Sequence, residues 1–259
     1  MMKSAASTWM ATTNYYCIEV MMMEVKRNSV QFKVYGRYAL FSDPITRPGG
    51  EKFSYQAPTY QAMKGIVESI YWKPTLIWYI DAVRVMNRIQ TESRGMRPIK
   101  MNGGNDLAYY TYLRNVEYQV LAHFEWNEHR TDLTRDRDEH KHHNMAKRCV
   151  AQGGRRDVFL GTRECQAYVE PCVFGEEKGF YDDDYGRIDF GLMFHGFDYP
   201  DETGKNELGV RLWRQSMTDG VILFDPPQSV EYRRVVREYG KGYNFKCFTE
   251  GVNFSVELV

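Results

Sequence analysis

The densest run of titratable side chains in this sequence is His140-Lys141-His142-His143. A neutral imidazole can give or take a proton near pH 7, and a lysine ammonium can stabilise an anionic transition state. His140 and His143 lie one helical turn apart, which leaves a metal site as an alternative. That alternative is weak, because no Asp, Glu or Cys ligand set follows at a spacing typical of zinc sites. A solvated helix start without chemistry is the third interpretation.

A phenol that could join this chemistry is Tyr71, in the sequence Tyr71-Trp72-Lys73-Pro74 at the end of the first predicted helix. Aromatic residues at a helix end are by default packing residues, and that interpretation stays open here. The functional interpretation is a phenol that faces the histidine cluster. It requires that both predicted helices pack on the same face of a sheet.

Two basic segments could contact phosphates. Residues 153–164 combine flexible backbone with three arginines, and the candidate contacts are Gly153, Gly154, Arg155, Arg156 and Arg163. Glycines let backbone N–H groups approach a phosphate, and Arg offers bidentate contacts, so phosphate or RNA binding is the favoured interpretation over a plain surface loop. Residues 84–114 carry six basic and two acidic side chains, and their candidates are Arg94, Arg97 and Lys100.

The surrounding pattern predicts how these residues are positioned. Strands are predicted around Val30–Val34, Thr75–Ile80, Val116–Phe124 and Cys165–Val169, and loop-like structure over residues 84–114. One helix is predicted from Thr59 until Pro74 ends it, and a second over Asp138–Gln152. Alternating apolar residues indicate the strands, whereas 3.6-residue spacing, an N-cap Thr59 and Gly153-Gly154 indicate the helices and their ends. The order β-α-β-β-α-β predicts an α+β, ferredoxin-like (RRM-like) domain with two helices on one face of an antiparallel sheet.

The rest of the chain is β-rich or weakly patterned. Strands near Gly186–Phe197, Leu208–Met217 and Val221–Phe224, the last two joined at Asp219-Gly220, predict a small antiparallel subdomain over residues 176–226. The ferredoxin-like domain then occupies residues 23–175, and residues 227–259 form a C-terminal tail. Residues 1–22 are interpreted as a disordered extension ahead of a start near Met23, or alternatively as a short native tail.

The overall composition hides a division of charge. The 259 residues carry 34 basic and 34 acidic side chains, a balance that by itself argues against a nucleic-acid partner. Residues 23–175 nevertheless have a net charge of +6 and residues 176–226 of −7, so a basic body is joined to an acidic segment. Five widely spaced cysteines suit reduced cytosolic thiols, and without an apolar run of 18 residues no membrane span is expected.

Several short motifs resemble one known family. They are Phe41-Ser42-Asp43-Pro44, Gly49 to Tyr55, Pro58-Thr59-Tyr60-Gln61-Ala62, Glu68-Ser69-Ile70-Tyr71-Trp72-Lys73-Pro74, Gly153 to Glu164, and His195 to Gly204. In this order they are similar to the type I-C (Dvulg) branch of CRISPR-associated Cas family five, within the RAMP superfamily of RNA-binding proteins. The resemblance covers about Val30 to Phe224.

The resemblance implies a prokaryotic cytoplasmic endoribonuclease that cleaves the repeat RNA of pre-crRNA and stays on the crRNA 5′ handle as a Cascade subunit. Its catalytic residues fall on Tyr71, Lys141 and His142, with His143 as the nearest competitor. No metal or cofactor is expected. Lys141 would neutralise the phosphorane while His142 and Tyr71 handle protons, giving a 2′,3′-cyclic phosphate and a 5′-OH.

The implied partners are the pre-crRNA repeat hairpin, the crRNA and other type I-C Cascade subunits, with double-stranded DNA as a further candidate. The main alternative is a non-catalytic scaffold that grips the crRNA 5′ handle and has affinity for duplex DNA. A metallohydrolase built on His140 and His143 is the remaining alternative outside the family interpretation.

Overall fold

The computed structural model describes residues 26–239 except 45, 47–49 and 183–184. The strands in these residues are β1 (Val30–Ala39), β2 (Lys52–Phe53), β3 (Leu76–Val85), β4 (Thr91–Met96), β5 (Ala108–Trp126), β6 (Val158–Phe159), β7 (Gln166–Pro171), β8 (Arg187–Asp198), β9 (Glu207–Thr218), β10 (Val221–Leu223) and β11 (Tyr232–Glu238). The helices are α1 (Tyr60–Ile70), α2 (Glu139–Ala151) and α3 (Pro200–Thr203), with a 3₁₀ helix at Thr131–Asp136.

The strands form one sheet in the order β11-β9-β10-β3-β5-β1-β7-β6, to which β2, β4 and β8 add at the sides. Among the described strands, every pair is antiparallel except β2 with β5. The chain therefore has a mixed α/β fold with a mostly antiparallel sheet, as the sequence predicted at this level. None of the helices in the described part of the chain combines the length and hydropathy that crossing a membrane requires.

Both long helices begin where their sequences predict, and α1 ends at Ile70, a few residues before the predicted stop at Pro74. The side chain of Thr59 accepts a hydrogen bond from the backbone N–H of Ala62, and Asp138 accepts one from Lys141, so each helix has a side-chain N-cap. The helices bury apolar stripes against the sheet, with Met63 and Val67 from α1 and Val150 from α2 in the main core. This packing fixes the C-terminal end of α1 and the N-terminal end of α2 over the same sheet face.

The loop-like structure predicted for residues 84–114 is wrong. β3 continues to Val85, and β4 pairs antiparallel with the first part of β5, from Thr91 opposite Leu113 to Met96 opposite Ala108. We call residues 91–113 the β4–β5 arm. Most side chains of β4 are exposed, so the strand lacks the apolar alternation by which half-buried strands are recognised. Its backbone pairing with β5 alone defines it.

The C-terminal strands are continuous with the main sheet. β8 and β9 pair antiparallel. Between β9 and β10, Asp219 and Gly220 both have positive φ, which suits the tight turn predicted there. However, β10 pairs with β3, and Trp213 and Ile222 belong to the same core as α1. The small separate sheet is therefore corrected to an extension of one sheet, and the boundary near residue 175 stays a prediction.

The predicted C-terminal tail contains a strand, since β11 pairs antiparallel with β9. All seven of its side chains are exposed, which explains why no apolar pattern in the sequence predicts this strand. The predicted extension at residues 1–22 and the last part of the tail, residues 240–259, lie outside the described residues.

Candidate active site

The C-terminal end of α1 and the first turn of α2 bring Tyr71 and His142 into contact. Tyr71 caps α1 and donates its backbone N–H to the carbonyl of Val67 at 2.9 Å. The phenol oxygen of Tyr71 lies 2.7 Å from Nδ1 of His142. Both residues are buried, with 1% of Tyr71 and 0% of His142 exposed. The functional expectation that the phenol faces the histidine cluster is met in this geometry.

The surroundings of His142 determine its tautomer. Nε2 lies 2.7 Å from the backbone carbonyl oxygen of Asp136, and a carbonyl can only accept, so Nε2 carries the hydrogen. In the neutral imidazole Nδ1 then accepts the hydrogen bond that the hydroxyl of Tyr71 donates. The rings of Trp126 and Phe124 meet the imidazole edge-on at centroid distances of 5.8 and 6.4 Å and hold its orientation.

The phenol of Tyr71 is held in its protonated form. Burial, assisted by the negative charge of Asp136, raises the pKa of Tyr71 to about 12, although the nearby Arg155 acts in the opposite direction. Its carbonyl accepts a 2.8 Å hydrogen bond from Nε1 of Trp78, and Sδ of Met145 lies 3.7 Å from its hydroxyl. Tyr71 is thus a fixed hydrogen-bond donor to His142 at neutral pH.

Asp136 connects Lys141 to this pair. One of its carboxylate oxygens lies 2.6 Å from Nζ of Lys141, and the other accepts a 3.0 Å bond from Thr75 and lies 3.4 Å from Nε2 of His142. The hydrogen bond from Lys141 is the main reason why the pKa of Asp136 is lowered. The Lys141 side chain is about half exposed, at 49%, so the three residues implied by the resemblance share one cluster with an accessible cation.

Sequence reasoning missed Asp136 and Thr75. The acidic residues directly before α2 were a usable signal for Asp136, since a carboxylate there can pair with a lysine in the first helical turn. Thr75 gave no such signal, because it comes from the start of the neighbouring strand and reaches Asp136 only through the tertiary fold.

The other two histidines of the cluster face elsewhere. Nε2 of His140 lies 2.9 Å from a guanidinium nitrogen of Arg27, and Nε2 of His143 lies 2.9 Å from the carbonyl oxygen of Ser29. His143, the nearest competitor of His142, therefore does not face Tyr71. Across the described ranges, no three His, Cys, Asp or Glu side chains lie close enough together to hold a metal ion.

The Gly-rich segment, residues 153–164, packs against the end of α1 beside the Tyr71–His142 pair. The backbone N–H of Arg155 donates to the carbonyl of Ile70 at 3.1 Å. Gly161 has a φ of +93°, and a Cβ there would collide with the backbone carbonyl of Leu40, so the segment also lies tightly against the end of β1. Gly153 and Gly154 turn the chain from α2 into this segment with positive φ values.

The arginines of the Gly-rich segment face solvent. Arg155, Arg156 and Arg163 are exposed, and no carboxylate among the described residues lies within salt-bridge distance of them. Arg155 and Arg156 line a cavity of about 240 Å³ whose wall also includes Glu68 and Trp72. Burial raises the pKa of Glu68 to about 7, against the opposing effect of Lys64.

The basic residues of the β4–β5 arm lie elsewhere. Arg94 is opposite Tyr110 at one end of β5, whereas Trp126, which contacts His142, is at the other end. Sixteen residues at about 3.3 Å each separate the two positions by roughly 50 Å of strand. Arg97 and Lys100 are exposed in the connection beyond β4. The structure thus brings the start of the Gly-rich segment to the candidate site, whereas the basic residues of the arm lie toward the opposite end of β5.

Comparison with known proteins gives a consistent family. The family model described as CRISPR-associated protein (Cas_Cas5), of the Cas5d type, matches residues 29–225. The CRISPR pre-crRNA endoribonuclease Cas5d of Thermus thermophilus is 28% identical over 189 residues, which cover 69% of this chain and 77% of that protein. The protein of the same name from Mannheimia succiniciproducens is 25% identical over 237 residues, covering 80% and 99%.

A solved structure is similar as well. A crystal structure described as a CRISPR-associated protein is 37% identical, with a TM-score of 0.67, and the match covers 80% of this chain and 96% of that one.

Proposed function

This chain belongs to the type I-C branch of the CRISPR-associated Cas5 family, and from that premise we propose that it is an endoribonuclease that cleaves the repeat RNA of pre-crRNA. Two relatives named as pre-crRNA endoribonucleases support the activity. The single observation that carries the site assignment is the 2.7 Å contact between the phenol of Tyr71 and Nδ1 of His142. A buried donor–acceptor pair with a defined tautomer is suited to moving a proton.

In the proposed reaction the 2′-oxygen attacks the adjacent phosphorus, the bond between phosphorus and the 5′-oxygen breaks, and a 2′,3′-cyclic phosphate and a 5′-OH result. Because its pKa is raised to about 12, Tyr71 is a poor base by itself. It instead takes the proton of the 2′-OH while it passes its own to Nδ1 of His142. The carbonyl and carboxylate of Asp136 stabilise the imidazolium, which then returns the proton through Tyr71 to the leaving 5′-oxygen.

Lys141 supplies the positive charge for the phosphorane in this proposal. Its ammonium lies 2.6 Å from Asp136 and about half of its side chain is exposed, so a phosphate can approach it without unfolding the cluster. A fixed cation beside the reacting phosphate can take the role that a metal has in other nucleases. The proposed reaction therefore proceeds without a metal or cofactor.

Recognition in this proposal combines the shape of the repeat hairpin with phosphate contacts from the Gly-rich segment. Arg155, Arg156 and Arg163 are exposed, and the backbone of Arg155 is bonded to Ile70, directly before Tyr71, which supports a direct role in binding. The β4–β5 arm, with Arg94, Arg97 and Lys100, would contact RNA farther from the cleaved bond. After cleavage the protein stays on the 5′ handle of the crRNA and joins the other type I-C Cascade subunits, as the family resemblance implies.

The core of the fold fits this assignment. The order β7-β1-β5-β3, with all three pairings antiparallel, is the 4-1-3-2 order of a βαββαβ unit. We infer a ferredoxin-like core from it, which is the architecture that the family resemblance implies for residues 23–175.

The burial of Tyr71 and His142 favours a second candidate function. A pair that is 1% and 0% exposed cannot touch a phosphate until side chains over it, such as Met145, move aside. If they do not move, the pair is a structural hydrogen bond and the protein is a scaffold that grips the crRNA handle, with affinity for duplex DNA. The scaffold would bind the same RNA and leave it intact.

The deciding experiment incubates the purified full chain with cognate repeat RNA in excess EDTA. Cleavage at one position, with a cyclic phosphate end, is expected from the nuclease. A matched RNA with a 2′-deoxy nucleotide at the cleaved position removes the attacking oxygen and should bind but stay intact. Binding without cleavage of the unmodified RNA would instead support the scaffold, and cleavage that stops in EDTA would overturn the proposed mechanism. A shift assay with non-cognate duplex DNA tests the DNA affinity separately.

A further inference from the structure

Two surface cavities lie next to each other along one side of α1. The cavity of about 240 Å³ beside Arg155 and Arg156 is also lined by Gly65, Glu68, Ser69 and Trp72. A second cavity, of about 400 Å³, is lined by Gly65 again. Its other walls come from the ends of β1 and β6, the Gly-rich segment and β8, and include Phe41, Phe159, Thr162 and Phe194. Gly65 borders both, so the two cavities adjoin between α1 and the Gly-rich segment, and together we call them the α1 groove.

The two ends of the α1 groove differ in chemistry. At the end nearest Tyr71 stand two exposed arginines and Trp72, a large aromatic side chain that is 40% exposed. At the other end the walls are mainly apolar and aromatic. Positive charge for the phosphates and aromatic surface for the bases are the combination with which proteins bind single-stranded nucleic acid regardless of sequence.

Gly65 is unusual for the middle of a helix, where glycine is less favourable than alanine. Its φ is not positive, and a Cβ placed on it would meet no atom within 4 Å. Neither backbone conformation nor packing against the rest of the protein therefore requires a glycine here. Its missing side chain leaves open space at the point where the two halves of the α1 groove adjoin.

We propose that the α1 groove holds a single-stranded flank of the substrate RNA, and that Gly65 is a positioning residue that lets the strand pass. One base stacks on Trp72, Arg155 and Arg156 contact phosphates, and the strand continues over Gly65 to the apolar end. From Thr59 to Trp72 the helix side offers roughly 20 Å, enough for a short run of extended strand. This inference deepens the proposed function and rests on it for the identity of the ligand as RNA.

The experiment measures binding of three RNAs that carry a 2′-deoxy nucleotide at the cleaved position: the repeat hairpin with its 5′ flank, with its 3′ flank, and without flanks. Fluorescence anisotropy is recorded for wild type, Gly65→Ala, Gly65→Leu, Trp72→Phe and Trp72→Ala. We expect Gly65→Leu to weaken binding of one flanked RNA at least tenfold and to leave the flankless hairpin unaffected. Gly65→Ala should have a much smaller effect, because a methyl group leaves most of the passage open.

Trp72 provides an independent test of the groove, because its exposed side chain can be changed without disturbing the core. Trp72→Ala should weaken binding of the same flanked RNA about tenfold, and Trp72→Phe should retain most of the affinity because a ring remains to stack. A 2-aminopurine placed in that flank should be quenched by wild type and not by Trp72→Ala.

Equal affinity of all variants for every RNA would overturn the α1 groove as an RNA site, and so would an equal loss on the flankless hairpin. Normal RNA binding by Gly65→Leu together with failure to join the other complex subunits would assign the groove to a protein partner instead. The proposed function would fail in a different way. If Gly65→Leu weakens binding of the flank but the wild type never cleaves unmodified RNA, the α1 groove is supported as an RNA site and the nuclease activity is excluded.

Discussion

The molecule offers two basic regions to a nucleic acid, and they differ in how their charges are held. In the Gly-rich segment, Arg155 and Arg156 face an open cavity without a carboxylate partner among the described residues. In the β4–β5 arm, Arg94 is bonded to Glu92 at 2.9 Å and lies over the ring of Tyr38, and Lys100 is 3.6 Å from Asp106. Each region has three basic residues, but the Gly-rich segment offers more un-neutralised positive charge to a ligand than the β4–β5 arm does.

The two regions also differ in distance from the chemistry. The Gly-rich segment is bonded to α1 one residue before Tyr71, whereas Arg94 is separated from the Trp126 end of β5 by roughly 50 Å of strand. Local charge density, which the sequence displays, cannot distinguish these cases. What distinguishes them is proximity to the Tyr71–His142 pair and whether a carboxylate among the described residues forms a salt bridge with the basic side chains.

The largest expected effect is on the rate of cleavage at the Tyr71–His142 pair beside the Gly-rich segment. Tyr71→Phe and His142→Ala should each slow cleavage of repeat RNA by about 10²–10⁴-fold, since each removes one partner of the proposed proton transfer. Single-turnover cleavage with saturating enzyme measures this rate independently of affinity. Tyr71→Phe is the more informative variant, because it removes one oxygen and keeps the buried ring.

The matched control for these variants is His143→Ala, which removes a neighbouring imidazole that faces Ser29. It should cleave within a few-fold of wild type. If His143→Ala is as slow as His142→Ala, the assignment of the base is wrong. Wild-type rates for both Tyr71→Phe and His142→Ala would show that this buried pair has no role in the reaction.

The next largest effect is on the affinity of the Gly-rich segment for RNA. Arg155→Ala with Arg156→Ala should weaken RNA binding by about 10–100-fold and flatten the dependence of log K on log salt by about 0.7 for each lost phosphate contact. Titrations at four salt concentrations give both quantities. Lys substitutions at the same two positions keep the charge and should restore the salt slope; an unaltered slope in the Ala variant excludes direct phosphate contact.

A smaller loss of RNA affinity is expected from substitutions in the β4–β5 arm. Arg94→Ala, Arg97→Ala and Lys100→Ala combined should weaken binding about fivefold, because Arg94 and Lys100 already pair with carboxylates that compete with phosphate. The same salt titration applies. A loss larger than that of the Arg155 and Arg156 double variant would reverse the comparison and make the β4–β5 arm the principal RNA-binding region.

Much of the site could be predicted because it depends on local signals. The N-caps Thr59 and Asp138 and the glycines after α2 define the two helices, and a βαββαβ order requires both to lie on one sheet face. That argument alone makes Tyr71 and the histidine cluster neighbours. It does not choose between His142 and His143, since adjacent helical residues differ by about 100° in direction and only the packed sheet defines which one faces inward.

Other features depend on tertiary contacts that leave no trace in the pattern. β4 and β11 have exposed side chains on both faces, so they are strands through their backbone partners only. Asp136 and Thr75 meet across 61 positions of sequence. The role of Gly65 is visible only once the Gly-rich segment is placed beside α1, because nothing in a helical sequence shows that a missing side chain opens a passage.

The smallest expected effect tests the electrostatics of the Gly-rich end through stability. Burial raises the pKa of Glu68 from 4.5 to about 7 in the folded protein, although Lys64 opposes the shift. Below pH 4.5 the carboxyl is protonated in both folded and unfolded chains. As the pH rises toward 7, the unfolded chain loses the proton first, so stability falls, and above pH 7 the full cost of the buried carboxylate remains. Glu68→Gln, neutral at every pH, should therefore be more stable than wild type by about 1 kcal/mol at pH 8 and nearly equal to it at pH 4.5.

Urea unfolding at pH 4.5, 6, 7 and 8 measures this difference, with Glu231→Gln, an exposed position, as the control that should show little change. Lys64 keeps its closer partner Glu202, at 2.5 Å, so the substitution does not strand a buried cation. A stability difference that stays constant with pH would mean that Glu68 is ionised freely and that the cavity beside Arg155 carries a full negative charge at neutral pH. The Gly-rich end would then be as neutralised as the β4–β5 arm, and its advantage as a phosphate site would rest on its position beside Tyr71 alone.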